Sequence, residues 1–168
     1  MSRFSIVILF TAIILAVSCK KPDEYPVIPA ISFKSIYTVK DAQGYDLNVY
    51  VVVSFTDGDG DLGLYPAEDH RNDPIFDDPL SPYYNDFIVT AFINNSGSWD
   101  TIPVPVSSRM PYLTPSGANK GLKGDILRQF NVPPSLNDSL VRYDIFIYDR
   151  ALHKSNMITT PAISLKTH

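Results

Sequence analysis

One cysteine, one tryptophan and three histidines in 168 residues set the first limits on this chain. With Cys19 alone, no disulfide can form within it. His70, His153 and His168 are too few and too dispersed to read as a zinc site or a Ser-His-Asp arrangement. Lys and Arg are scattered and the formal net charge is −4, so no basic patch points to nucleic acid. Ser116-Gly117 and Gly121-x-x-Gly124 do not make a phosphate loop. Helical periodicity is absent throughout, which excludes a bundle. The chain is expected not to be an enzyme, although its many carboxylates could in principle supply an acid–base pair.

A long membrane-spanning run is also missing. The apolar stretch from Phe4 to Val17, broken only by Ser5 and Thr11, has 14 residues, against about 20 for a span. Arg3 before it and Ser18-Cys19 after it complete the plan of a signal peptide. Leu15-Ala16-Val17-Ser18-Cys19 resembles the lipobox of bacterial lipoproteins, with Ala16 where that family usually has Leu. The resemblance implies removal of residues 1–18, lipid on Cys19, and a membrane as the first partner. Residues 19–29, punctuated by Pro22, Pro26 and Pro29, read as a stiff tether. Lys20 stands where inner-membrane lipoproteins carry Asp, which points to the outer membrane. The Lys-then-acidic run also resembles export tags of surface lipoproteins.

What remains, residues 30–168, suits one domain: 45% of the chain is hydrophobic, and ten tyrosines and nine phenylalanines favour strands. Ile31, Phe33, Ser35, Tyr37 and Val39 share one parity, as do Leu47, Val49, Val51, Val53 and Phe55. Further strands are expected at Phe87–Ile93, Trp99–Val106, Lys120–Leu127, Ser139–Asp149 and Met157–Leu165. Pro103 and Pro105 assign the fourth to a sheet edge. The expectation is all-β: a seven-stranded sandwich with one long loop after the second strand. The order resembles the immunoglobulin-like fold, carried by Tyr143, which stands two residues before Ile145 where a tyrosine corner precedes the usual second cysteine. Without a cysteine pair or a tryptophan in the third strand, the closer resemblance is to cadherin-like or fibronectin-like sandwiches. Another sandwich topology remains open.

The charge gathers in the long loop. Nine of the 18 acidic residues fall between Asp57 and Asp86, where Arg71 is the only fixed positive charge. Within it, Asp57-Gly58-Asp59-Gly60-Asp61 places carboxylates at alternate positions with glycines that let the backbone curl, which suits a hard cation. The stretch resembles the EF-hand loop: Asp57, Asp59 and Asp61 match its first three ligands, Gly63 its carbonyl position and Glu68 its twelfth. Leu62 departs from the glycine of position 6, and strands flank it. A structural Ca²⁺ is the expected cofactor. The other reading is a turn whose aspartates cap backbone amides. In an immunoglobulin-like order the inward rows ending at Asp57 and Asp149 finish at the same end, so Asp149 joins the set.

Tyr65, Tyr83, Tyr84 and Trp99 are the candidate ligand platform, for sugar rings or simply for packing the loop down. Asp100-Thr101-Ile102 and Asp138-Ser139-Leu140 resemble acceptor tripeptides of bacterial O-glycosylation. The expected role is a binding or structural module in the cell envelope, its partner an unidentified envelope protein, or alternatively a surface glycan.

Overall fold

The computed structural model describes residues 24–103, 106–116 and 120–167. The expected signal peptide, Cys19 and the first part of the tether lie outside the described residues.

The strands are β1 (Ala30–Lys40), β2 (Asp46–Asp57), β3 (Phe87–Asn95), β4 (Ser98–Ile102), β5 (Leu122–Asn131), β6 (Leu140–Ile147), β7 (Ile158–Thr159) and β8 (Ile163–Ser164). They form two antiparallel sheets, ordered β1-β2-β5 and β4-β3-β6-β7, with β8 also on β6. The fold is all-β and sandwich-like. Val49, Val51, Val53 and Phe55 of β2 meet Phe87, Val89 and Ala91 of β3 and Val141, Tyr143, Ile145 and Ile147 of β6 in one buried cluster. Alternation in β2 and β6 aims every second side chain at that core. Each large apolar side chain so buried contributes about 1.5–3 kcal/mol.

Four local features depart from simple alternation. A bulge between Phe33 and Ser35 flips the parity of β1, so Ile36 packs on the core while Tyr37 and Val39 are exposed. Tyr37 instead stacks on Tyr50, ring centroids 5.3 Å apart. Leu47 is exposed, and its neighbour Asp46 is buried, paired to Lys40 at 2.7 Å.

The fifth strand reaches Asn131, four residues past its expected end, because two of its core-side positions disguise it. Gly124 lies under Phe55, where a Cβ would sit 3.1 Å from the ring. Arg128, on the same side, lies over the Phe87 ring and donates to the Arg109 carbonyl at 2.8 Å. The last strand is two short pieces rather than one run, which makes eight strands among the described residues where seven were expected. Thr160, between the pieces, exchanges bonds with Tyr143 through its amide and hydroxyl, and Pro161 has no N–H to continue the ladder.

Tyr143 is buried, its ring tilted on Phe130 at 5.2 Å. Burial pushes its phenol up to about 12. Among the described residues the hydroxyl donates no hydrogen bond, so the bond to the preceding loop expected of a tyrosine corner is not made.

Candidate metal centre

β2 runs without interruption into the acid loop. Its core row, Val53 and Phe55, continues to Asp57, which is fully buried. The chain then turns, and Asp57 Oδ2 accepts from the amides of Gly60 at 2.9 Å and Asp61 at 3.1 Å. That turn is the capping geometry expected of an Asp-Gly sequence. It occupies only one of the carboxylate's oxygens.

The other carboxylates converge on the same place. Asp57, Asp59 and Asp61 each offer an oxygen within 4.8 Å of the others, a group that could hold a metal ion. Oδ1 of all three is buried with no hydrogen-bond partner. Orphaned buried oxygens are costly, and three together want a common positive partner. The electrostatics agree. Burial, with the charges of Asp149, Asp59 and Asp57 adding to it, pushes Asp61 up to about 6. Asp57 is raised as well, first by burial and then by Asp59 and Asp149.

The loop after β6 closes over this turn. Leu62 and Asp149 form an isolated antiparallel bridge, joining the two loops at one end of the sheets. The Arg150 amide donates to the Asp61 carbonyl at 3.1 Å, and the Ala151 amide to Asp61 Oδ2 at 3.1 Å. The Arg150 guanidinium donates to the carbonyls of Leu62 (2.6 Å) and Gly63 (2.8 Å).

Asp149 is buried, but both its oxygens are engaged by His153, through the amide at 2.7 Å and Nδ1 at 2.8 Å. That contact raises the imidazole's pKa. Asp149 therefore adds negative charge beside the trio while both its oxygens are bonded to His153. Gly63's carbonyl accepts a hydrogen bond from Arg150 at 2.8 Å. Glu68 is exposed in a short 3-10 turn, Ala67–Asp69, and is not part of the convergent group. The donors brought together are three carboxylates, all oxygen.

The aromatics fall into separate contacts. Tyr65 is stacked on Tyr112 at 3.9 Å, with the Arg71 guanidinium 3.8 Å over its ring. Tyr83 meets Tyr148 edge to face. Tyr84 lies under Arg109 at 5.1 Å. Trp99 pairs with Asn94, toward the far end of the β3–β4 hairpin, and carries Arg142 at 4.2 Å. Seven residues of strand, about 23 Å, separate that row from Phe87 at the acid-loop end.

Sequence pattern did not single out Arg150 or Arg109, which fasten the long loop. The available signal for Arg150 was its place directly after Asp149 at a strand end. No protein-family model, curated protein or solved structure matches the chain.

Proposed function

We propose that this chain is a lipid-anchored, non-catalytic module of the bacterial outer membrane or cell surface, an immunoglobulin-like sandwich with a structural Ca²⁺ on Asp57, Asp59 and Asp61. The observation that carries the cation is the trio of buried, partnerless Oδ1 atoms. Oxygen-only donors favour a hard cation, and an irregular, glycine-containing loop suits Ca²⁺ better than the tight octahedron of Mg²⁺. The immunoglobulin-like assignment is supported by strand order: first, second and fifth in one sheet, third, sixth and last in the other, with the fourth beside the third. Lipidation rests on the Leu15–Cys19 stretch and the single thiol. The scattered placement of Tyr65, Tyr83, Tyr84 and Trp99 weighs against a glycan platform, since Tyr65 is covered on its faces by Tyr112 and Arg71.

Thermal unfolding in chelator and in millimolar Ca²⁺ tests the site. A cation that binds only the folded state adds about 2.7 kcal/mol at a hundredfold excess over its dissociation constant. The midpoint should rise with Ca²⁺, respond weakly to Mg²⁺, and lose its response in Asp59→Asn. An unchanged midpoint in the parent protein would leave the loop a capped turn.

A further inference from the structure

The residues before β1 do not lead straight away from the molecule. Tyr25 and Pro26 lie with their backbone on Gly58. A Cβ at that glycine would collide with the Tyr25 carbonyl oxygen and come within 2.7 Å of the Pro26 carbonyl. Gly58 joins Asp57 to Asp59. The N-terminal segment thus rests on the stretch of backbone that links two of the convergent carboxylates.

The same segment is held a second time at its base. Asn156 accepts from the Ile31 amide and donates to the Ile31 carbonyl, both at 2.8 Å. Pro26 and Pro29 restrict the backbone between the two attachments, and Pro29 is buried. The attachments differ in what they depend on. The Asn156 pair is neutral amide recognition, closed with or without a cation. The Gly58 contact depends on the shape of the acid loop, whose three carboxylates lie within 4.8 Å of one another. Without a positive charge between them they repel, and spreading them moves the residue that joins the first to the second.

We propose that the cation site is also a clamp: a bound Ca²⁺ fixes Tyr25 and Pro26 against Gly58 and stiffens the joint between the domain and the chain before it. This rests on the Ca²⁺ site proposed above. Removing the cation loosens Tyr25 and Pro26 from Gly58. The coupling is mutual, since whatever factor the cation adds to docking, docking adds to cation affinity.

Gly58→Ala separates clamp from site, because the added Cβ blocks the close approach and leaves every carboxylate in place. The experiment uses the full chain in detergent, with Cys19→Ser and a nitroxide on Val27→Cys, a position half exposed in the segment. Spectra are recorded against Ca²⁺ concentration, with chelator as the zero point, beside thermal unfolding of the same samples. The label should be mobile in chelator and immobilised by Ca²⁺, with the same half-saturation as the rise in midpoint. In Gly58→Ala the midpoint should still rise, the label should stay mobile, and half-saturation should need about fivefold more Ca²⁺ or beyond. If Gly58→Ala does not fold, Asp59→Asn serves, and its label should be mobile at every Ca²⁺ concentration. A midpoint that rises with Ca²⁺ while the label's mobility stays unchanged overturns the clamp and leaves the site standing. No rise in midpoint overturns both.

Discussion

Asp86, just before β3, is a buried carboxylate outside the acid loop's convergent group. One oxygen accepts from the Met110 amide at 2.6 Å and the other has no partner. Burial pushes it up to about 7, although the Met110 amide and the charges of Arg128 and Arg109 pull the other way. The folded state therefore holds a proton that the unfolded chain releases near pH 4. Between about pH 4 and pH 7 the folded state binds more protons, so stability from this group is full at acid pH and falls as pH rises through that window. Asp57 and Asp61 are shifted in the same direction, so the measurement belongs in millimolar Ca²⁺, which is expected to hold both ionised. Thermal midpoints recorded from pH 4 to 8 should decline toward neutral pH in the parent and decline less in Asp86→Asn, where His153, its pKa raised by Asp149, still contributes a slope of the same sign at the upper end. A parent-like slope in the variant would assign the pH dependence elsewhere. Nothing in the sequence marks Asp86, because an aspartate before an apolar strand reads as ordinary loop.

At the scale of elements, the long loop is fastened from outside itself. Arg109 reaches across to donate to the carbonyls of Phe76 (2.5 Å), Tyr84 (2.8 Å) and Tyr65 (2.8 Å), and approaches Asp77 at 3.3 Å. Three carbonyls served by one planar fork is a task lysine cannot perform. Arg109→Ala should cost about 3 kcal/mol, the order expected for losing charge-assisted bonds and stranding their acceptors. Arg109→Lys should recover little of it. Urea unfolding gives the first number, and protease cleavage between residues 64 and 84 shows whether the loop has come loose; a variant with parent stability and no new cleavage would refute this role. Such long-range fastening has no periodicity, which is why it was illegible. β2 and β6 were legible because a two-residue alternation sustained over eight or more residues is the mark of a strand with one face buried. β5 was blurred by Gly124 and Arg128 on its core side, β1 by its bulge, and the last strand by Pro161. Each is a tertiary or single-residue event that a parity count cannot register.

For the whole molecule, the acid loop, the β6 loop and the N-terminal segment meet at one end. The convergence of Asp57, Asp59 and Asp61 was legible from spacing, and the nearness of Asp149 from parity combined with an assumed strand order. Its engagement by His153 was not, since that depends on a turn four residues long. The N-terminal segment matters most for how the protein is carried. Among the described residues no helix is long and apolar enough to cross a membrane. In the proposed role the attachment is lipid on Cys19. Each buried methylene contributes about 0.8 kcal/mol, and several acyl chains hold a protein firmly. The hydrophobic core draws on residues 31–165. Cys19→Ser should therefore move the protein from the membrane to the soluble fraction while leaving its thermal midpoint and its Ca²⁺ response unchanged. Mass spectrometry of the parent should find Cys19 as the mature N-terminus with lipid attached. An intact Ser18–Cys19 bond, or a Cys19→Ser protein that stays in the membrane, would mean that something other than this thiol holds the domain there.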